Sequence, residues 1–126
     1  MKACRVAQSR AEGNALASPE NRRRSPRHPV DLRLMYSGLI NGDLIFGDGR
    51  VVDLSEGGCG IRGNQQVKPG MDLTVFLYLP HAEEPLFIAE MRVAWAEGMR
   101  FGAQHRLIAE EERVRLHAYL ESQLLR

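Results

Sequence analysis

The 126-residue chain is long enough for one domain of ordinary size and too short for a two-domain enzyme. Hydrophobic residues make up 44% of it and charged residues 26%, which suffices for one core and excludes a wholly disordered chain. The formal net charge of +1 is uneven, because residues 1–29 contain seven basic and two acidic residues, whereas residues 30–126 contain ten basic and fourteen acidic ones.

The N-terminal residues divide into a tail and a basic arm. Residues 1–21 mix small, polar and charged side chains without a sustained period and predict a flexible tail. Residues 22–29 contain four arginines and two prolines, which favour an extended arm that meets an anionic partner. We therefore expect a domain over residues 22–126. Two cysteines and the lack of an apolar leader favour a soluble protein in the cytoplasm, with no insertion into a membrane.

Period-two alternation begins after the arm. Val30, Leu32, Leu34 and Tyr36 share one face, as in a half-buried strand. Five further strands are predicted near residues 44–54, 59–63, 71–79, 86–96 and 98–105, with a turn signal inside the first of these at residues 47–49. Six short strands at this spacing predict a mainly β fold, a small antiparallel barrel.

The last two predicted strands form a hairpin around Glu97-Gly98. Their odd positions are apolar and predict one buried face, formed by Phe87, Ala89, Met91, Val93, Trp95, Met99, Phe101 and Ala103. After residue 105 the period lengthens, and apolar residues at 116, 119, 120 and 124 predict a C-terminal amphipathic helix of about four turns. We expect it to pack on the barrel or on a partner.

No pattern of an enzyme or a metal site is convincing. Residues 58–63 satisfy G-x-G-x-x-G, but the following residues predict no helix to receive a pyrophosphate. Residues 53–57 differ from a nucleophile elbow at its first glycine, and the four histidines lack metal-ligand spacing. We therefore expect no catalytic residue, no metal and no cofactor.

Two short motifs remain. The arm contains R-x-x-x-R at Arg23 and Arg27, and the end of a predicted strand contains D-x-S-x-x-G at Asp53, Ser55 and Gly58. In this order, followed by further strands and a helix, they make residues 22–125 resemble the PilZ domain, a bacterial receptor module for the second messenger cyclic di-GMP. The resemblance implies that these residues, with Gly57, bind this nucleotide.

The residue types suit that ligand. Arginine forks bind phosphate oxygens or the guanine O6/N7 edge and also stack on purines. The Asp53 carboxylate can accept from the guanine N1–H and amino group, Ser55 adds a hydroxyl, and Gly57 and Gly58 leave room for a turn or a close approach. The alternatives are a solvated basic tail for the arginines, an Asx turn for Asp53, an ST turn for Ser55 and a bulge for Gly58.

Two residues outside the motifs also belong to the predicted site. In the family, an arginine at the position of Arg22 accompanies binding of two stacked cyclic di-GMP molecules, so we expect two per chain. Trp95, near the end of a long predicted strand, is at a place where family members often have a residue near the ligand. The alternative for Trp95 is burial on the apolar odd face.

The main hypothesis is a cyclic di-GMP receptor that changes its surface on ligand binding and so signals to a protein partner. The competing hypothesis is a PilZ-like adaptor that acts in motility or pilus assembly without the messenger, although such adaptors usually lack the arginines. A third, a nucleic-acid binder using the basic arm, is disfavoured by the acidic body, so we expect no DNA or RNA partner.

Overall fold

The computed structural model describes residues 27–124, which form a closed barrel of six antiparallel strands followed by one helix. Around the barrel the order is β1-β2-β3-β6-β5-β4, and β4 closes onto β1. The bounds are β1 His28–Ile40, β2 Asp43–Leu54, β3 Gly58–Gly63, β4 Asp72–Leu77, β5 Leu86–Glu97, β6 Arg100–Leu107 and α1 Glu110–Leu124. The predicted mainly β barrel with a C-terminal helix is confirmed, while the tail and arm residues 22–26 lie outside the described residues.

The first hairpin is longer than predicted and turns at a different place. Asn41 and Gly42 both have positive φ, 52° and 85°, as a two-residue type I′ turn requires. The predicted turn at residues 47–49 is wrong, because β2 continues through it. Gly47 instead makes room for a buried ring: a Cβ there would lie 2.1 Å from Cζ of Tyr36.

The hydrophobic core is filled from all six strands and from α1. Its largest fully buried side chains are Phe101, Leu34, Leu54, Ile61, Leu73, Leu77, Leu86, Ile88, Met91, Leu116, Val51 and Val75. Tyr36 meets Phe101 edge to face, with ring centroids 5.3 Å apart. Cys59 is also buried, and burial raises the pKa of its thiol to about 12, so it behaves as a small apolar residue.

Strand β5 changes its inward face twice. Leu86 and Ile88 face the core, and then Met91 and Val93 do, because β5 has an extra residue against β4 between Ile88 and Met91. A second extra residue of β5, against β6 between Val93 and Trp95, turns Trp95 outward. The prediction of one buried odd face is therefore wrong: Phe87 and Met99 are exposed, and so is Trp95.

Helix α1 begins with three glutamates, which suit the positive end of its dipole. Leu116 and Leu120 are buried, and the helix packs against β5. Arg115 donates hydrogen bonds to the carbonyls of Glu84 and Pro85, directly before that strand. The prediction of an amphipathic helix on the barrel is thus confirmed. Within residues 27–124, no helix has the length and apolar character needed to cross a membrane.

Candidate ligand-binding site

Arg27 and Asp53 meet where the arm enters the barrel. The register pairs Pro29 of β1 with Asp53 of β2, so a residue just before β1 can reach the end of β2. Arg27 Nη1 donates to Asp53 Oδ1 at 2.6 Å, and about a third of each side chain is exposed (31% and 35%). The structure therefore brings together one residue from each of the two sequence motifs.

Both hydrogen bonds of the Asp53 carboxylate within residues 27–124 are made by the same oxygen, Oδ1. Its Oδ1 also accepts from the backbone N–H of Gly60, at 3.1 Å, across the β2–β3 hairpin. Its Oδ2 has no hydrogen-bond partner among residues 27–124. A Cβ on Gly60 would lie only 2.8 Å from Oδ2, so the glycine leaves the space that this carboxylate occupies. Asp53 does not form the Asx turn that was the alternative.

Ser55 builds the turn between β2 and β3, as the ST-turn alternative proposed. The side chain is buried, and its Oγ accepts from the Gly57 N–H at 3.3 Å and donates to the Gly58 carbonyl at 3.2 Å. Gly58 approaches β6 closely, since a Cβ there would lie 2.3 Å from the carbonyl oxygen of Ala103. Gly57 is exposed, with open space around it.

His105 of β6 holds this turn from the other side. Its backbone N–H donates to the Gly57 carbonyl, and its ring Nδ1 lies 2.9 Å from the Glu56 carbonyl oxygen. Because a carbonyl only accepts, Nδ1 carries the proton, and Nε2 is buried without a hydrogen-bond partner. Burial lowers the pKa of His105 to about 4, so the ring is neutral at pH 7.

Four residues that face outward form a continuous row, which we call the glycine platform: Asp53, Gly60, Gly102 and Trp95. They are successive register partners on β2, β3, β6 and β5. A Cβ on Gly102 would lie 2.2 Å from Nε1 of Trp95, so the indole lies over that glycine. Trp95 is 44% exposed, and its burial is excluded. Gly60 and Gly102 are therefore buried beneath the carboxylate and the indole, and these two side chains form the upper surface of the platform.

A row of arginines borders the glycine platform. Arg50, Arg62 and Arg100 are register partners on β2, β3 and β6, one outward position along these strands from Asp53, Gly60 and Gly102. All three are exposed, and Arg50 pairs with Asp31 at 2.9 Å. Arg62 and Arg100 have no acidic partner within the described part of the chain, so they add positive charge beside the platform.

Part of this site lies outside the two sequence motifs. The alternation of Gly60 and Arg62 along the predicted strand 59–63, which directly follows Gly58, could have placed Gly60 beside the turn. Gly102, Arg100 and His105 carry no such signal, because their roles depend on which distant strand pairs with β6. Arg22 and Arg23 lie outside the described residues and stay predictions.

The arrangement fits a planar, anionic ligand on an open surface. An indole face stacks on bases, a free carboxylate oxygen accepts from N–H groups, and the arginines attract phosphates. Among residues 27–124, no group of three or more His, Cys, Asp or Glu side chains could hold a metal ion.

Comparison with known proteins supports one family. The model of the PilZ domain matches residues 21–122. The fold is similar to the PilZ domain of CeSA from a cellulose-synthesizing bacterium, with a TM-score of 0.57 and 18% identity over 73% of this chain and 91% of that one. It is also similar to the Bacillus subtilis inhibitor of motility, with a TM-score of 0.60 and 18% identity over 83% of this chain and 53% of that one, about half its length. No curated protein matches the sequence.

Proposed function

The chain belongs to the PilZ domain family, and on that premise we propose that it is a cyclic di-GMP receptor that binds the nucleotide on the glycine platform. The main support for the proposal is the contact between Arg27 and Asp53. This contact lies at one end of the glycine platform, and Trp95 lies at the other end. In this proposal the R-x-x-x-R and D-x-S-x-x-G motifs form one site.

One guanine base fits the platform by its chemistry. The Oδ2 atom of Asp53 accepts from the guanine N1–H and 2-amino group, which adenine lacks as a paired donor set. Gly60 and Gly102 let the Asp53 carboxylate and the Trp95 indole lie close against the sheet, and the exposed indole offers a stacking face for the base. In this proposal Ser55, Gly57 and Gly58 shape the turn that presents Asp53.

The phosphates are assigned to arginines. Arg23 and Arg27 belong to the R-x-x-x-R motif, and Arg62 and Arg100 flank the platform without acidic partners within the described part of the chain. Two stacked cyclic di-GMP molecules would bring four phosphates together, and their mutual repulsion requires added cations. We assign Arg22 to the second molecule, giving two ligands per chain.

The turn between β2 and β3 also connects the candidate ligand site with helix α1. The carboxylate of Glu56, inside the D-x-S-x-x-G segment, contacts His117 of α1, and this hydrogen bond raises the pKa of the histidine. A cavity of about 360 Å³ opens between the turn and the helix. Ligand at Asp53 would shift the turn and with it this exposed contact, so that a protein partner meets a changed surface. The chain acts by binding, without catalysis and without a cofactor.

Calorimetric titration with cyclic di-GMP tests the proposal, with GMP and cyclic di-AMP as controls. The expected result is saturation at two molecules per chain, with weaker or no binding of the controls. Trp95 is the chain's single tryptophan, so its fluorescence reports the same titration independently.

Variants sharpen that experiment. Trp95→Ala should weaken binding by about 10-fold, since stacking on one base contributes about 1–3 kcal/mol. Phe76→Ala, an exposed aromatic residue on β4, is the matched control and should bind as the wild type does. A folded wild-type protein that binds no cyclic di-GMP would refute the receptor and favour the adaptor that acts without the messenger.

A further inference from the structure

A second outward surface carries six large apolar side chains, which we call the apolar patch. Phe46 and Leu39 are 68% and 63% exposed, and the patch as a whole comprises Met35, Leu39, Leu44, Phe46, Phe76 and Phe87. Register pairs join Leu39 to Leu44 in one group and Met35 to Phe76 and Phe87 in another. The two groups are neighbours, because Phe46 pairs with Ser37, which lies between Met35 and Leu39 on the outward side of β1. The rings of Phe76 and Phe87 are in contact, with centroids 5.1 Å apart.

The apolar patch is large for a protein of this size. The exposed fractions correspond to roughly 500 Å² of apolar surface, near the upper end of the about 300–600 Å² for the largest patch on a monomer. With a polar rim it approaches the about 800 Å² per partner of a stable interface. Exposure of this much apolar surface to water is unfavourable and indicates a surface that another molecule covers.

The apolar patch and the glycine platform lie on opposite sides of the barrel. In the closed order β1-β2-β3-β6-β5-β4, the patch centres on β1 and β4, whereas the platform centres on β3 and β6. A partner on the patch would therefore leave the candidate ligand site open. The inference is independent of the proposed ligand.

We propose that the apolar patch is the interface of a two-fold symmetric dimer of this chain. The charges at its rim are paired, with Arg33 3.8 Å from Asp48 at one end and Arg92 2.9 Å from Asp72 at the other. These pairs largely neutralise the two ends of the rim, where Glu90 adds one negative charge near Arg92, so two copies can meet there with little repulsion although residues 30–126 are acidic overall. A two-fold rotation lets the arginine of one copy face the aspartate of the other.

The shape of the patch also favours a second copy. It is the outer face of a sheet, and two such faces pack side chain to side chain about 10 Å apart, as in a β-sandwich. A helical partner needs a groove, whereas the patch lies on the convex outside of a closed barrel. An anionic partner needs a positive rim, which the paired charges do not provide.

Sedimentation velocity over a range of about 1 µM to about 500 µM tests the dimer. The wild type should pass from monomer to dimer within this range. Phe46→Glu and, separately, Leu39→Lys should shift the midpoint by at least about 30-fold, because each places two charges in an apolar interface. Val114→Glu, at an equally exposed apolar position on α1, is the matched control and should dimerise as the wild type does.

Circular dichroism and cyclic di-GMP titration of the same variants separate this inference from the proposed function. Phe46→Glu should keep the wild-type spectrum and ligand affinity while losing the dimer. A wild type that remains monomeric at the highest concentration would overturn the proposal. Binding of lipid vesicles or of another protein through the patch by such a monomer would identify a different occupant and would not rescue the dimer. So would patch variants that dimerise as the wild type does.

Discussion

Asp53→Ala separates the role of the carboxylate in folding from its role in binding. In the free protein the substitution removes the Arg27 contact and leaves the Gly60 N–H without its acceptor. An ion pair with a third of each side chain exposed contributes about 1 kcal/mol or less, and the lost backbone acceptor costs a similar amount. We expect the free energy of unfolding to fall by about 1–2 kcal/mol, which leaves the barrel folded.

The effect of Asp53→Ala on binding should be larger. A carboxylate that accepts from the guanine N1–H and 2-amino group forms charge-assisted hydrogen bonds that contribute about 2–4 kcal/mol together, so affinity for cyclic di-GMP should drop by about 30- to 1000-fold. Adenine has no N1–H, so any binding of cyclic di-AMP should change little. The substitution therefore lowers base discrimination as well as affinity.

Calorimetry with both cyclic dinucleotides measures these effects, and urea denaturation of the free protein measures the folding cost. Asp48→Ala, another exposed aspartate on β2, is the matched control and should bind cyclic di-GMP normally. Equal loss of both ligands, or no loss of either, would show that Asp53 holds only the arm and does not recognise guanine.

Three further predictions concern the turn and the arginine row. Gly58→Ala should lower the free energy of unfolding by about 2–4 kcal/mol and Gly57→Ala by less than about 1 kcal/mol; equal losses on urea denaturation would contradict the packing. Arg62→Gln should weaken cyclic di-GMP binding several-fold and reduce its salt dependence, and calorimetry that finds neither change would remove the arginine row from the site. His105 binds a proton more readily in the unfolded chain (pKa 6.5) than in the folded protein (pKa about 4). Its contribution to the free energy of unfolding, up to about 3 kcal/mol, is therefore complete above pH 6.5 and is lost as the pH falls towards 4. His105→Gln should flatten the pH dependence of stability measured by urea denaturation, and an unchanged profile would refute this.

Local periodicity was sufficient for much of the fold. The alternation from Val30 to Tyr36 correctly predicts which side chains of β1 enter the core, because a strand with one buried face must alternate. The i, i+4 spacing of Leu116 and Leu120 similarly predicts the buried side of α1. Asn41-Gly42 is a strong signal for a tight hairpin, and the chain turns there and not at the glycines at 47 and 49.

Features that depend on pairing between distant strands could not be predicted. The bulges of β5 arise from its register with β4 and β6, and each extra residue reverses the face of the side chains that follow, which is why Trp95 is exposed. The glycine platform likewise depends on the pairing of Gly60 with Gly102, which are far apart in sequence. The motifs predicted Asp53, but only the barrel shows what lies beside it.

The most direct test of the central claim is a nuclear magnetic resonance titration of the ¹⁵N-labelled protein with cyclic di-GMP. We expect the largest shifts on the backbone amides of Gly60 and Gly102 and on the indole N–H of Trp95, while the amides of Leu39 and Phe46 on the opposite side stay in place. Shifts confined to that opposite side, or saturating ligand without any change at Gly60 and Gly102, would show that the glycine platform is not the binding site.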